Sequence, residues 1–192
     1  MDIMLNIMNL SSYAKKRLQV DLKEKSQLQM LCGYSNRFEM ISNIHKLDFS
    51  SKTIHGLQVR TKNSDEVNSS TEKIAPLWRR FYTEILPTLE ENATVYSVYH
   101  NYEYDASGEY DVLIGADRLD VTDEMCSITL EEGRYLMFPV KGELPHAIAE
   151  TWKEIWHYFD DESVDERRNF ETDFEVYISK DEVEIYVGVN YF

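Results

Sequence analysis

The chain of 192 residues contains little cysteine, glycine and proline: two, seven and four residues, respectively. Cys32 and Cys126 have neither a second cysteine nor a histidine at metal-ligand spacing, which argues against a disulfide framework and a zinc motif. The glycines form no Gly-x-Ser-x-Gly nucleophile elbow, no phosphate-binding loop and no dinucleotide fingerprint, and the five histidines are scattered. We therefore expect neither a metal nor a cofactor.

Long apolar runs are also missing. No stretch approaches the roughly 20 apolar residues that a membrane-spanning helix needs. The sequence starts with Met1-Asp2-Ile3-Met4, which lacks the basic region and the apolar core of a secretory signal. Together with the low cysteine content, this start predicts a cytoplasmic protein without a membrane partner.

Basic residues are scarce, since 20 of them face 35 acidic residues and leave a formal net charge of -15. Such a surface disfavours nonspecific binding to nucleic acid and to anionic membranes. Residues 1–46 carry seven basic and four acidic residues (+3), whereas residues 47–192 carry thirteen and thirty-one (-18). This asymmetry predicts two parts, a helical N-terminal segment of residues 1–45 and a domain of residues 46–192.

The domain alternates between strand-like and helix-like segments. Ser69 and Glu72 have the spacing of a capping box ahead of an amphipathic helix, and Pro87 marks the end of that helix. Segments rich in valine, isoleucine and tyrosine predict the strands. The predicted order is a strand from residue 47, the helix, a hairpin of residues 94–104 and 109–116, a strand at 127–140, a helix at 145–159 and a hairpin within 173–189.

The last three of these elements repeat the first three. Ile74-Ala75-x-x-Trp78 matches Ile148-Ala149-x-x-Trp152, and Glu109–Gly115 aligns with Glu182–Gly188, at spacings of 74 and 73 residues. A register that hardly drifts over two matches indicates an internal duplication. We therefore predict an α+β fold of two strand-helix-strand-strand repeats that are related by a pseudo-twofold axis and have antiparallel sheets.

Four short motifs occur in a fixed order: Glu109–Gly115, the helix Ile148–Trp156, and the closing segments Asp173–Tyr177 and Val183–Val187. Together they resemble the GyrI-like effector-binding domains, including the integron-associated type, over about residues 46–192. Such domains occur alone or fused to AraC-type or MerR-type DNA-binding segments. The resemblance implies a pocket between the repeats that binds small molecules, often lipophilic cations. Some relatives hydrolyse reactive small-molecule toxins, and one class binds DNA gyrase.

The N-terminal segment departs from this family pattern. Residues Leu31–Phe38 contain Gly-Tyr-Ser, which resembles the start of a recognition helix in AraC-type DNA readers. A complete reader of that type has two helix-turn-helix units, and about 45 residues accommodate barely one. We therefore expect no direct DNA binding, and we interpret the segment as a helical cap or a remnant of a DNA-binding region.

Glu175 is the first candidate for a ligand-binding residue. Strand alternation puts Glu175 and Tyr177 on one face of their strand. In the repeat alignment Ser97 and Tyr99 occupy the corresponding positions, so only the second repeat supplies a carboxylate there. A partly buried carboxylate among aromatic rings attracts a cation. The alternative is a solvated strand face, where Glu175 would have no special role.

Aromatic residues complete the predicted site. Trp152 and Trp156 share the apolar stripe of the second helix, where core packing is the alternative role. Tyrosine offers rigid contact area, although its preference for strands also explains its abundance. The predicted ligand-binding residues are Glu175, Tyr177, Trp152, Trp156, Tyr99 and Tyr186.

These observations predict a small-molecule effector- or drug-binding protein that is linked to transcriptional regulation or multidrug sensing. Its expected ligand is a cation of lipophilic or aromatic character. Two other classes stay open: a hydrolase with Glu175 as the general base, and a gyrase-inhibitor-like protein whose acidic surface imitates nucleic acid. A partner regulator protein and a homodimer stay open as well.

Overall fold

The structure is a computed structural model that describes residues 43–191. The strands of this part are β1 (His45–Phe49), β2 (Lys52–Thr61), β3 (Val95–His100), β4 (Tyr110–Ala116), β5 (Cys126–Leu130), β6 (Gly133–Lys141), β7 (Glu166–Tyr177) and β8 (Glu182–Tyr191). Its α-helices are α1 (Asn63–Glu66), α2 (Ile74–Arg80) and α3 (His146–Phe159). The predicted N-terminal helix and the Leu31–Phe38 motif lie outside the described residues, and the division of the chain after residue 45 stays a prediction.

All eight strands form one antiparallel sheet, in the order β1-β6-β8-β7-β3-β4-β2-β5. This order is symmetric about its centre, because β7 corresponds to β3, β8 to β4, β6 to β2 and β1 to β5. The central pair places Ser97 directly opposite Glu175, the two residues that the repeat alignment equates. The predicted α+β architecture of two pseudo-twofold-related repeats is thereby confirmed.

The two outermost strands are exchanged between the repeats. β1 lies two residues before β2 but pairs with β6, and β5 lies two residues before β6 but pairs with β2. The single strand predicted at residues 127–140 is therefore wrong, because the chain leaves the ladder at Glu131 and Glu132 and resumes at the other end of the sheet. Strand propensity could not reveal this break, since it does not indicate which partner a segment pairs with.

The exchange forces the sheet to curve strongly. β1 and β2 are six strand spacings apart in the sheet order, which would be about 29 Å in a flat sheet. Phe49 and Lys52 are only three residues apart, and three residues span at most about 11 Å. The two ends of the sheet therefore approach each other, and Phe49 packs on Phe174 of central β7 with ring centroids 4.9 Å apart.

The first long helix starts differently from the prediction. It begins at Ile74, and the carboxylate of Glu66 accepts the backbone N–H groups of Lys73 and Ile74 at 3.0 and 3.1 Å. The predicted capping box of Ser69 and Glu72 is therefore wrong, because the acceptor for the exposed N–H groups comes from the end of α1. Helical backbone continues after α2 as a π turn (Phe81–Ile85) and a 3-10 turn (Leu86–Thr88) that contains Pro87.

Apolar residues pack on both faces of the curved sheet. On one face, α2 covers β2 and β4 around the fully buried Phe81, and α3 covers β6 and β8 around the fully buried Ile155. On the other face, Phe174 and Val98 belong to a third buried cluster that the edge strands close. Strand alternation thus sends even-numbered residues of β3 and of the end of β7 (Asp173–Tyr177) into this third cluster and leaves the odd-numbered ones facing the helices.

Candidate functional site

A cavity of about 540 Å³ lies between α2 and α3. Central strands β3 and β7 form its floor, and the two helices form its walls. The cavity therefore spans the pseudo-twofold axis and draws residues from both repeats. Its volume falls within the range of about 300 to 1,000 Å³ that is typical of small-molecule sites.

Glu175 lies at the centre of the cavity floor. Glu175 is 2% exposed. Both of its carboxylate oxygens accept hydrogen bonds, and all of the donors are uncharged side chains. Oε1 accepts from Tyr99 Oη at 2.9 Å and from Trp152 Nε1 at 2.8 Å, and Oε2 accepts from Tyr177 Oη at 2.8 Å. Three donors that converge from β3, α3 and β7 fix the position of this one carboxylate.

The negative charge of Glu175 has no cationic partner in the part of the chain that the structure describes. Burial raises the pKa of Glu175 above its ordinary value, and the hydrogen bonds from Trp152, Tyr177 and Tyr99 oppose that rise. Burial also raises the pKa of Tyr99 and Tyr177, so both phenols remain protonated donors at neutral pH. The arrangement presents an acceptor-only group in an apolar cavity, which favours occupation by a cation.

Aromatic rings surround this carboxylate. Trp78 of α2 contacts the ring of Tyr177 edge to face, with centroids 5.0 Å apart, and stacks on Tyr82 at 5.4 Å. Trp152 of α3 contacts Tyr99 edge to face at 5.6 Å. Burial raises the pKa of Tyr82, which also lines the cavity, to about 12. Ring faces carry partial negative charge, so these walls suit a flat or lipophilic cation.

A buried ion pair lies near Glu175 on β7. Arg168 lines the cavity, and its Nη2 donates to Oδ2 of Asp173, whose residue is fully buried. Asp173 also accepts from Tyr102 Oη at 2.7 Å and from the backbone N–H of Gly188 at 3.0 Å. A Cβ on Gly188 would lie 2.8 Å from the backbone oxygen of Thr172, so glycine is needed where β8 approaches β7 this closely.

Comparison with known proteins fits this geometry. Residues 44–189 match the model of the Cass2 family, described as "Integron-associated effector binding protein". The chain belongs to this family. Its Cass2 membership confirms the resemblance to GyrI-like effector-binding domains that the four sequence motifs indicated.

Individual relatives of this Cass2-family chain cover the same region. An integron cassette protein from the mobile metagenome of Vibrio cholerae is 34% identical, with a TM-score of 0.72, over 77% of this chain and 95% of that chain. YobU of Bacillus subtilis (strain 168) is 30% identical over 77% of this chain and 97% of that protein, and its name describes it provisionally as a transcriptional regulator. The structure of SAV2435 bound to tetraphenylphosphonium shares the fold, with 20% identity and a TM-score of 0.58 over 77% and 94% of the two chains.

The Cass2-family cavity brings together five of the six residues that the sequence singled out. These are Glu175, Tyr177, Tyr99, Trp152 and Trp156. Tyr186 lies on the opposite face of the sheet, where it stacks on Phe174 with centroids 4.6 Å apart and donates to Glu184. The prediction that Tyr186 lines the site is therefore wrong, because its even position on β8 faces away from the helices. Ligand binding by the other five stays a prediction.

Most other residues that line the Cass2-family cavity were not among the predicted ones, and Trp78 and Arg168 are two of them. The repeat alignment, which matches Trp78 with Trp152, was the signal that could have identified Trp78. Arg168 gave no signal, because strict alternation from Glu175 would turn it to the other face. The pairing register of β7 and β8 shifts between Arg168 and Asp173, and this irregularity reverses the alternation.

Within residues 43–191, no three histidine, cysteine or acidic residues are grouped so that they could hold a metal ion. The same part of the Cass2-family chain has no helix with the length and apolar character that crossing a membrane requires.

Proposed function

We propose that this protein binds a lipophilic organic cation in the cavity between its two repeats and acts as an effector sensor in transcriptional regulation. The observation that carries the proposal is the buried carboxylate of Glu175, which three neutral donors hold and no cation within the described residues neutralises. A cationic ligand would restore charge balance in the cavity, and the aromatic walls would bind its apolar surface.

Two relatives support the proposal. SAV2435, which shares the fold, has been solved with the lipophilic cation tetraphenylphosphonium. YobU carries a name from transcriptional regulation. A regulator of this type acts in the cytoplasm, and the net charge of -15 would steer cations towards it at low salt.

A hydrolase that uses Glu175 as a general base has less support. A general base needs a free lone pair within hydrogen-bonding distance of the attacking water. Three of the about four lone-pair positions of the Glu175 carboxylate already accept protein donors, which leaves about one for a water, and the same hydrogen bonds oppose the rise in pKa that burial causes. We therefore assign Glu175 the role of a counter-ion.

The test compares tetraphenylphosphonium with tetraphenylborate, two ions of nearly equal size and shape but opposite charge. All three tryptophans of the chain line the cavity, so intrinsic fluorescence reports binding there. We expect the phosphonium to bind with a dissociation constant of about 1 μM or below, which corresponds to about -8 kcal/mol. Equal affinities for the two ions would refute the proposal.

A further inference from the structure

Arg168 has more hydrogen-bond donors than partners. A guanidinium carries five N–H donors, and in the described residues Arg168 has two hydrogen-bonding side-chain partners, Asp173, to which Nη2 donates, and the hydroxyl of Tyr102. Its Nε is buried without a partner in that part of the chain. The side chain is 7% exposed and lines the cavity. Burying donors without acceptors costs free energy, so the arrangement indicates that something else accepts from this guanidinium.

Aromatic rings hold the guanidinium in place. Its Cζ lies 4.5 Å from the ring centroid of Phe170, 5.8 Å from that of Trp152 and 6.0 Å from that of Tyr102. Phe170 has a φ of 55°, which is rare for a bulky side chain and marks the irregularity in β7. Arg168 is therefore fixed beside the cavity rather than free to extend into solvent.

We propose that Arg168 forms a second subsite, which binds a neutral acceptor oxygen on the same ligand whose cationic group lies at Glu175. This inference rests on the proposed function. The ligand class is then an aromatic or lipophilic cation that carries a carbonyl group, as in a ketone, ester or amide.

Charge balance decides between a neutral acceptor and a carboxylate. Asp173 already neutralises Arg168, and the ligand's cation neutralises Glu175. With a neutral carbonyl, the charges of Glu175, Arg168, Asp173 and the ligand cancel, whereas a ligand carboxylate would add a negative charge next to two buried carboxylates. Arg168 therefore favours a ligand with an uncharged acceptor oxygen over a ligand with a carboxylate.

The two subsites lie close enough for one small ligand. Glu175 and Asp173 are two residues apart on β7, about 7 Å along an extended strand. Trp152 contacts both ends, because its Nε1 donates to Glu175 and its ring faces Arg168. One aromatic ring between the cationic centre and the carbonyl matches this separation.

Two probes that differ in one group test the subsite. Each is a tetraphenylphosphonium with a substituent on one ring: an acetyl group, or an isopropenyl group of the same shape that has no acceptor oxygen. The 3- and 4-substituted isomers are both measured by calorimetry. We expect the better acetyl isomer to bind the native protein about tenfold more tightly than its isopropenyl counterpart, and the carboxyphenyl analogue to bind more weakly than the acetyl one.

The paired change Arg168→Met/Asp173→Asn removes the donors and keeps the cavity neutral. It should abolish the preference for the acetyl probe over the isopropenyl probe, which is the ratio that the experiment measures. Arg168→Lys is the second variant, because it keeps a cation beside Asp173 but loses the guanidinium donors. Its preference for the acetyl probe over the isopropenyl probe should also fall. Equal binding of acetyl and isopropenyl probes by the native protein would overturn the subsite alone. Failure of every phosphonium to bind would overturn the proposed function instead.

Discussion

Replacing Glu175 with glutamine isolates the charge of the cavity floor. The new side chain would keep the length of the old one, accept from Tyr99 and Trp152 through its oxygen, and donate to the Tyr177 oxygen through its amide. All three hydrogen bonds around Glu175 can therefore be kept, with only the one to Tyr177 reversed in direction, and the main change is the loss of one negative charge.

The expected loss of affinity follows from the position of that charge. For a cation about 5 Å from the carboxylate and an effective dielectric constant of about 20, the Coulomb attraction is about 3 kcal/mol. Part of this attraction is offset, because the amide dipole still attracts the cation and because the neutral amide has a smaller desolvation cost. We therefore expect binding to weaken by about 1 to 3 kcal/mol, or about 5-fold to 150-fold in the dissociation constant. Stability should stay the same or rise, because an unpaired buried charge is removed.

Tetraphenylphosphonium titrations followed by tryptophan fluorescence measure this loss, and thermal melting measures stability. Glu184→Gln is the matched control: its carboxylate also accepts from a tyrosine, Tyr186, but on the opposite face of the sheet. We expect Glu184→Gln to bind like the native protein. If Glu175→Gln binds the cation unchanged, or Glu184→Gln loses it, then the cavity floor is not the cation site.

Three other predictions concern the same cavity and its support. Cation affinity should fall on acidification starting above pH 4.5, because burial raises the pKa of Glu175 and binding needs the charged form; Glu175→Gln should show no such fall. The free energy of unfolding should rise on acidification, because a carboxyl group whose pKa is raised in the folded protein stabilises the fold when it is protonated. This contribution is lost as the pH rises through the pKa of folded Glu175. Trp156→Ala should weaken cation binding about threefold to fivefold by calorimetry, with little change in melting temperature because Trp156 is 42% exposed; a large drop in stability would show a core role. A chain that starts at Ile44 should melt cooperatively, since the described residues form three buried clusters among themselves; a broad, non-cooperative transition would contradict the predicted division.

The repeat and the central carboxylate could be predicted from local pattern alone. Side chains alternate along a strand, so Glu175 and Tyr177 had to share a face. The helix around Trp152 has an apolar stripe that must be buried, which brings it onto the sheet. The pocket between the two repeats, in contrast, was implied by the resemblance to GyrI-like domains and not by the local pattern.

Other features depended on the tertiary structure. The capping of α2 by Glu66 and the exchange of β1 and β5 join segments whose pairing no local propensity encodes. The placement of Arg168 in the cavity results from one irregularity in β7, which reverses the alternation that correctly placed Glu175. The periodicity of apolar and polar residues in the sequence therefore determined which residues share a face within a regular strand or helix. Only the tertiary structure determined where the alternation of side chains along β7 is interrupted, because the position of a β-bulge depends on pairing with distant strands as well as on local geometry.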